Sequence, residues 1–159
     1  MNTLKLTIII PAYNEINTIQ ALIDKVFELE IDKQIILVDD CSSDGTNEVI
    51  YKNKNKIDKI IIHKENKGKG AAIKSAQEHI KGKYVVIQDA DLEYDPRDIL
   101  SLLSEIENKK CQVIYGSRVL RNPENIKSQN FSHNIRILGN IFLTKLSNFL
   151  NNQNLTDAH

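Results

Sequence analysis

Tyr84-Val85-Val86-Ile87-Gln88-Asp89-Ala90-Asp91-Leu92-Glu93-Tyr94-Asp95-Pro96 is the stretch whose reading decides the fold. An apolar, β-branched run feeding straight into four carboxylates reads as a buried strand that ends at a site. Along an extended backbone, side chains two apart share a face, so Asp89, Asp91 and Glu93 are expected to converge. Carboxylates brought that close repel unless a cation sits between them. A hard divalent ion with oxygen ligands, Mg2+ or Mn2+, meets that need and commonly shares its site with substrate phosphates. The plainer alternative is an acidic loop that caps the next helix. Asp95 and Pro96 do fit an N-cap and first turn, but capping leaves Asp89 and Asp91 unexplained.

Outward from this stretch, short apolar runs alternate with helical patterns. Leu6 to Ile10 reads as a first strand stopped by Pro11, and Ile16, Ile19, Leu22, Ile23, Val26 and Phe27 recur at helical spacing. Ile35-Ile36-Leu37-Val38 reads as a second strand, ending in Asp39-Asp40-Cys41-Ser42-Ser43-Asp44-Gly45, with a short helix from Thr46. A third strand, Ile60-Ile61-Ile62, leads to the loop Asn66-Lys67-Gly68-Lys69-Gly70, which opens a helix through Ala71, Ala72, Ile73, Ala76 and Ile80. Beyond the acidic stretch, Ile99, Leu102, Leu103 and Ile106 mark an amphipathic helix, and Val113-Ile114-Tyr115 a fifth strand ending at Gly116-Ser117-Arg118. Such alternation predicts an α/β domain, a mostly parallel sheet with helices on both faces. Ligands of such sheets bind beyond the carboxyl ends of the strands. Tyr13 and Glu15, Asp39 and Asp40, Lys69, Asp89 and Asp91, and Arg118 all fall there.

Composition narrows the function classes. The 159 residues carry 21 basic and 21 acidic side chains, so no global charge argues for nucleic acid, and an anionic substrate must be met by local groups. One domain spanning residues 1–159 is expected. No apolar run approaches the roughly 18 residues of a membrane span, and no secretory leader opens the chain, so a cytoplasmic location is expected. Cys41 and Cys111 form neither a disulfide framework nor a CxxC zinc motif. His63, His79, His133 and His159 show no metal-ligand pairing and read as surface or core-edge residues. Gly68-Lys69-Gly70 lacks the third glycine of a dinucleotide fingerprint and does not follow the first strand, and no GxxxxGK[ST] loop exists. A phosphate-receiver module would need its acidic pair after the first strand, whereas here the pair follows the second.

Taken in order, Pro11-Ala12-Tyr13-Asn14-Glu15, Val38 to Thr46, Asn66 to Gly70, Gln88-Asp89-Ala90-Asp91 and Gly116-Ser117-Arg118 closely resemble family 2 glycosyltransferases of the Rossmann-like GT-A fold. Within them the chain looks most like the polyprenyl- and dolichyl-phosphate sugar synthases. The resemblance covers nearly the whole chain. It implies inverting transfer of a sugar from a UDP- or GDP-sugar to a lipid-linked phosphate. By the same resemblance Pro11, Tyr13, Glu15, Val38 and Asp40 line the nucleoside pocket, with Asp40 accepting hydrogen bonds from the base and Lys69 joining the nucleotide-sugar site. Asp89, Ala90 and Asp91 form its DXD site, Asp91 the main metal ligand and Asp89 nearer the ribose, with Glu93 a further ligand in some relatives. Arg118 matches a contact to the donor phosphates.

Each assignment has a structural competitor. Asp39 and Asp40 also fit an Asx-type turn with Asp44-Gly45, Arg118 a surface ion pair, and Tyr13 core packing. Cys41 replaces the glycine more usual in this turn. A phosphate acceptor is already anionic and needs no general base, whereas a saccharide hydroxyl does. No base stands out after Arg118, which favours the phosphate. Ile135, Leu138, Phe142, Leu146 and Phe149 make an apolar stripe with Arg136 and Lys145 beside it. It reads as a helix packed on the sheet or, alternatively, as an interfacial helix that makes the protein peripheral at the cytoplasmic membrane face. Asn154 to His159 resemble the start of a longer family motif, so the chain is expected to be truncated at its C-terminal end. Homo-oligomerisation is left open by the sequence. The rival functions are a family 2 transferase acting on a saccharide hydroxyl in cell-surface polysaccharide synthesis, and a fragment that binds nucleotide sugar without turnover.

Overall fold

The computed structural model describes residues 4–109, 111–114, 116 and 144–150. The chain divides into two compact units, Met1–Ser104 and Glu105–His159. The first holds four parallel strands, β1 (Leu6–Ala12), β2 (Lys33–Asp39), β3 (Lys59–Ile62) and β4 (Tyr84–Ile87), in the order β3-β2-β1-β4. The intervening helices are α1 (Ile19–Phe27), α2 (Thr46–Lys52) and α3 (Lys69–Ala76), and α4 (Asp98–Lys109) follows β4. In the second unit residues 105–109 complete α4, and residues 144–150 are helical.

Strand side chains alternate between the two faces, and each face has its own core. Ile8, Ile10, Ile35 and Leu37 point to one side and pack with Ile19, Leu22, Ile23 and Val26 of α1, Ile50 of α2, and Ile99. Ile9, Ile36 and Val38 point to the other and meet Ala72 and Ala76 of α3. Small residues on α3 let that helix lie close to the sheet. A buried polar network ties this second face together. Thr7 Oγ1 donates to Gln34 Oε1 at 2.8 Å, and the Lys81 and Gly82 amides donate back to Gln34 Oε1 and Thr7 Oγ1. The turn before β4 is thereby fastened to β1 and β2.

Three expectations need correction. The strand β1 runs through Pro11 to Ala12 rather than stopping at Pro11. Ile9 accepts a bond from the Gln88 amide, so Pro11, two residues on, faces the same way but beyond the end of β4, where its missing N–H costs no ladder bond. The strand β4 is not buried on both faces: it lies at the edge of the described sheet, and Val85 and Ile87 are each 47% exposed. Of the expected fifth strand, Val113 and Ile114 are not in a strand, and Tyr115 lies outside the described residues.

The strand order places the site. The chain adds β2 and β3 on one side of β1, then crosses to add β4 on the other. At such a reversal the loops leaving adjacent strands splay apart and open a crevice.

Candidate donor-binding site

A pocket occupies that crevice. It is lined by Pro11 and Ala12 at the end of β1, Tyr13 and Glu15 after it, Asp40 after β2, Lys69 and Ala72 of α3, and Asp89, Ala90 and Asp91 after β4. Three loops from distant parts of the sequence therefore meet where the sequence reading expected a ligand.

The loops after β1 and β2 are stitched together. The Asn14 amide donates to Ser42 Oγ at 2.9 Å, and the Ser43 amide donates to Asn14 Oδ1 at 2.9 Å. The Glu15 amide donates to Thr46 Oγ1, and the Ile16 amide to Asp44 Oδ2 at 3.0 Å. Asp44 also accepts from the Thr46 amide and hydroxyl, the turn chemistry expected of an aspartate before glycine. Burial raises the Asp44 carboxyl, but the Thr46 hydroxyl and the Thr46 and Ile16 amides outweigh it and leave it below its ordinary value. Asp39 likewise makes a local turn, accepting from the Ser42 amide and hydroxyl, while its buried Oδ2 has no partner among the described residues.

Asp40 behaves differently. Its Oδ1 accepts from the Lys67 amide at 2.9 Å and its Oδ2 from the Gly68 amide at 2.7 Å, so it braces the loop that opens α3. The Asx-turn alternative thus holds for Asp39 and Asp44, but not for Asp40. Gly68, at φ +83°, supplies the left-handed backbone that turns this loop into the helix. His63 Nδ1 lies 2.6 Å from Asp40 Oδ1, with both side chains buried. Burial alone would raise the Asp40 carboxyl; the Lys67 amide, His63 and the Gly68 amide together hold it below the ordinary value. His63 is therefore no surface residue. Sequence reading missed it because its partner lies 23 residues away.

The acidic turn also differs from its expected shape. The strand β4 ends at Ile87, and the backbone turns at Ala90 and Asp91. Leu92 adopts φ +63°, so the extended-strand rule does not carry through to Glu93. Asp89 and Asp91 line the pocket and Glu93 does not. No group of three metal-ligating side chains is found among the described residues. Instead Asp89 Oδ1 holds the Lys69 ammonium at 2.6 Å. Asp91 Oδ1 accepts from the Glu93 amide. Asp95 accepts from the Arg97 guanidinium and amide, which draw its carboxyl far below the ordinary range, in the turn that leads into α4.

Of the remaining expectations, Tyr13 is 48% exposed and lines the pocket, so it is not core filler. Val38 is fully buried with Ala72 and Ala76 in the α3 face and is absent from the pocket lining, because it lies inside β2 beneath α3 rather than at the strand end where Asp40 reaches the crevice. Arg118, Arg136 and the stripe residues Ile135, Leu138 and Phe142 lie outside the described residues. Leu146 and Phe149 fall on the helical segment 144–150, with Phe149 84% exposed. Among the described residues no helix is long and apolar enough to cross a membrane.

Charge defines what the pocket can take. Its described lining holds four carboxylates, Glu15, Asp40, Asp89 and Asp91, against the single ammonium of Lys69. An anionic ligand entering there needs added positive charge. The Asp89 and Asp91 oxygens are hard donors suited to Mg2+ or Mn2+, and the Lys69 ammonium on Asp89 marks a place where a cation is already favoured. The residues present thus fit a divalent ion.

A parallel sheet with an acidic crevice at its reversal point defines an α/β domain with a ligand site at its strand ends. The chain belongs to glycosyl transferase family 2, whose sequence pattern it matches over residues 7–159, and its fold is of the GT-A type. It is 29% identical over 125 residues to a dodecaprenyl-phosphate galacturonate synthase of Rhizobium johnstonii, covering 74% of this chain and 37% of that one. It is 31% identical over 124 residues to a poly-beta-1,6-N-acetyl-D-glucosamine synthase of Staphylococcus epidermidis, covering 76% and 30%. Among solved structures it resembles a mannosyltransferase of Pyrobaculum calidifontis in complex with GDP-Man and Mn2+, with 30% identity and a TM-score of 0.54 over 61% of this chain and 30% of that one. The chain therefore spans between about a third and a half of the length of such curated relatives.

Proposed function

We propose that this chain carries the donor site of a metal-dependent, inverting glycosyltransferase that moves a sugar from a nucleoside-diphosphate sugar to a polyprenyl phosphate. The observation that carries this reading is the shared pocket of Tyr13, Lys69, Asp89 and Asp91 at the reversal point of the sheet. The family match runs through both compact units, which supports reading them as parts of one transferase domain.

In this reading the half-exposed ring of Tyr13 offers an apolar surface for the nucleoside. Asp89 and Asp91 would hold Mg2+ or Mn2+. When bound, the ion supplies charge neutralisation of the leaving diphosphate. The Lys69 side chain brings a second positive charge to the same end of the pocket, and Asp40 holds the loop that carries it. Arg118 is assigned to the donor phosphates on the family pattern alone. The anionic acceptor attacks without a general base, because a phosphate is already ionised at neutral pH. A lipid acceptor makes the protein a peripheral partner of the membrane surface, and the galacturonate synthase relative supports this choice.

Titration calorimetry with UDP, GDP and their sugar conjugates, each with Mn2+ and with chelator, tests the donor site. Metal-dependent binding of one nucleotide, abolished in Asp91→Ala, is the expected result; a folded protein that binds none refutes the reading. The second reading, transfer to a saccharide hydroxyl, rests on the relative that makes poly-N-acetylglucosamine. Product formed on polyprenyl phosphate but not on oligosaccharide separates the two.

A further inference from the structure

We propose that His63 is a positioning residue of the donor pocket, setting through Asp40 the loop from which Lys69 reaches Asp89. The proposal rests on the donor reading above only for the identity of the ligand. His63 follows directly on β3, with its amide bonded to the Asp39 carbonyl at 2.9 Å, so its backbone is fixed by the sheet. Its side chain is 7% exposed and both ring nitrogens have partners: Nδ1 faces Asp40 Oδ1 at 2.6 Å and Nε2 faces Ser75 Oγ at 2.8 Å. An ionised carboxylate only accepts, so Nδ1 carries the proton of the first bond. Ser75 Oγ also lies 3.0 Å from the Ala71 carbonyl, placing the second contact in the last turn of α3.

The imidazole therefore grips α3 at two places, at its opening loop through Asp40 and at its last turn through Ser75. Asp40 passes the constraint on by receiving the Lys67 and Gly68 amides, and Lys69 is the next residue. From there the Lys69 ammonium spans to Asp89, on the loop after β4. An unbroken run of bonded groups thus links the ends of β3, β2 and β4. The Asp40 amide is tied to the Ala12 carbonyl at 2.8 Å, but among the described residues His63 alone holds its carboxylate from the sheet side, because the two amide donors belong to the loop it is holding. Without His63 the carboxylate is free to turn toward solvent and the loop loses its anchor.

Three variants separate this role from general packing. His63→Leu fills the space without a donor, His63→Asn keeps a donor at the Nδ1 position, and Ser75→Ala removes only the helix contact. Two readouts are compared in the full chain: hydrogen exchange at the Lys67 and Gly68 amides, and the affinity for UDP and GDP with Mn2+. His63→Leu is expected to speed exchange at those two amides at least about tenfold and to weaken nucleotide binding about tenfold, with the β1 amides unchanged. His63→Asn and Ser75→Ala are expected to stay within about threefold of the parent on both. If His63→Leu does not fold, His63→Gln, whose longer amide reaches toward Ser75 rather than Asp40, takes its place. Unchanged Lys67 and Gly68 protection in His63→Leu, failure of His63→Asn to rescue, or an equal loss at the β1 amides would overturn the proposal. A parent protein that binds neither nucleotide refutes the donor reading instead, and the amide series alone then decides whether His63 sets the loop.

Discussion

Lys69 Nζ sits 2.6 Å from Asp89 Oδ1, and the two side chains are 55% and 29% exposed. The ammonium at the mouth of α3 thus occupies a carboxylate that, on the proposed donor reading, would also hold a divalent ion. The two cations would then compete for Asp89, and the lysine would be freed for a phosphate when the metal takes its place. Lys69→Met is expected to tighten binding of Mn2+ alone by about two- to fivefold, the modest gain typical of releasing a partly exposed pair. The same variant should bind nucleoside diphosphate with Mn2+ about tenfold more weakly. Calorimetric titration of metal, with and without nucleotide, measures both; two unchanged constants would remove Lys69 from the site.

Acid should loosen the pocket floor. Asp40 and Asp44 both ionise more readily in the folded chain than their ordinary value of 3.8. A depressed carboxyl contributes stability that is complete above that value and is lost as pH falls through the folded one. Urea midpoints measured from pH 6 to pH 3 should therefore fall steeply below about pH 4. Asp44→Asn, which cannot ionise, should start lower at pH 6 and fall less. Parallel curves for the two proteins would contradict the assignment.

Gly82 has no room for a side chain. A Cβ there would fall on the backbone nitrogen of Thr7 and 2.5 Å from the Leu6 carbonyl carbon, and neither atom can yield because both belong to the central strand. Gly82→Ala should cost about 1–3 kcal/mol in chemical denaturation. A loss below about 0.5 kcal/mol would mean that the turn before β4 shifts freely.

Cys41 has φ +67°, a backbone region that disfavours any residue with a Cβ. Cys41→Gly is expected to gain up to about 1 kcal/mol of stability, and the β-branched Cys41→Val to lose about 1–2 kcal/mol. The cysteine is not in the pocket lining, so nucleotide affinity should stay unchanged in both. Equal stabilities across the three proteins would show that the turn is not strained.

Much of this architecture was legible in the chain because it depends on local pattern. Four of the five apolar runs are the four strands, and the residues expected at their ends include Pro11, Tyr13, Glu15, Asp40, Lys69, Asp89, Ala90 and Asp91, which share one pocket. What local pattern misses is direction. Val38 was expected in the pocket, but its register beside Ile36 sends it into the α3 face. Glu93 was expected beside Asp91, but the backbone reverses its twist at Leu92. The contact of His63 with Asp40 exists only once β3 lies beside β2, and no spacing rule reaches across 23 residues to a single carboxylate.

The left-handed Leu92 packs its side chain against the apolar core on the α1 face. That partial burial helps offset a backbone cost of about 1–2 kcal/mol. The acidic turn is consequently anchored in the hydrophobic interior as well as by its own polar bonds, among them Gln88 Nε2 to the Tyr94 carbonyl and the Glu93 amide to Asp91 Oδ1. On the proposed donor reading, donor binding and thermal robustness are then inherited together: a substitution that merely trims Leu92 would alter the aim of Asp91 without touching a single carboxylate, and a library selected only for solubility at this position would discard donor binding unnoticed.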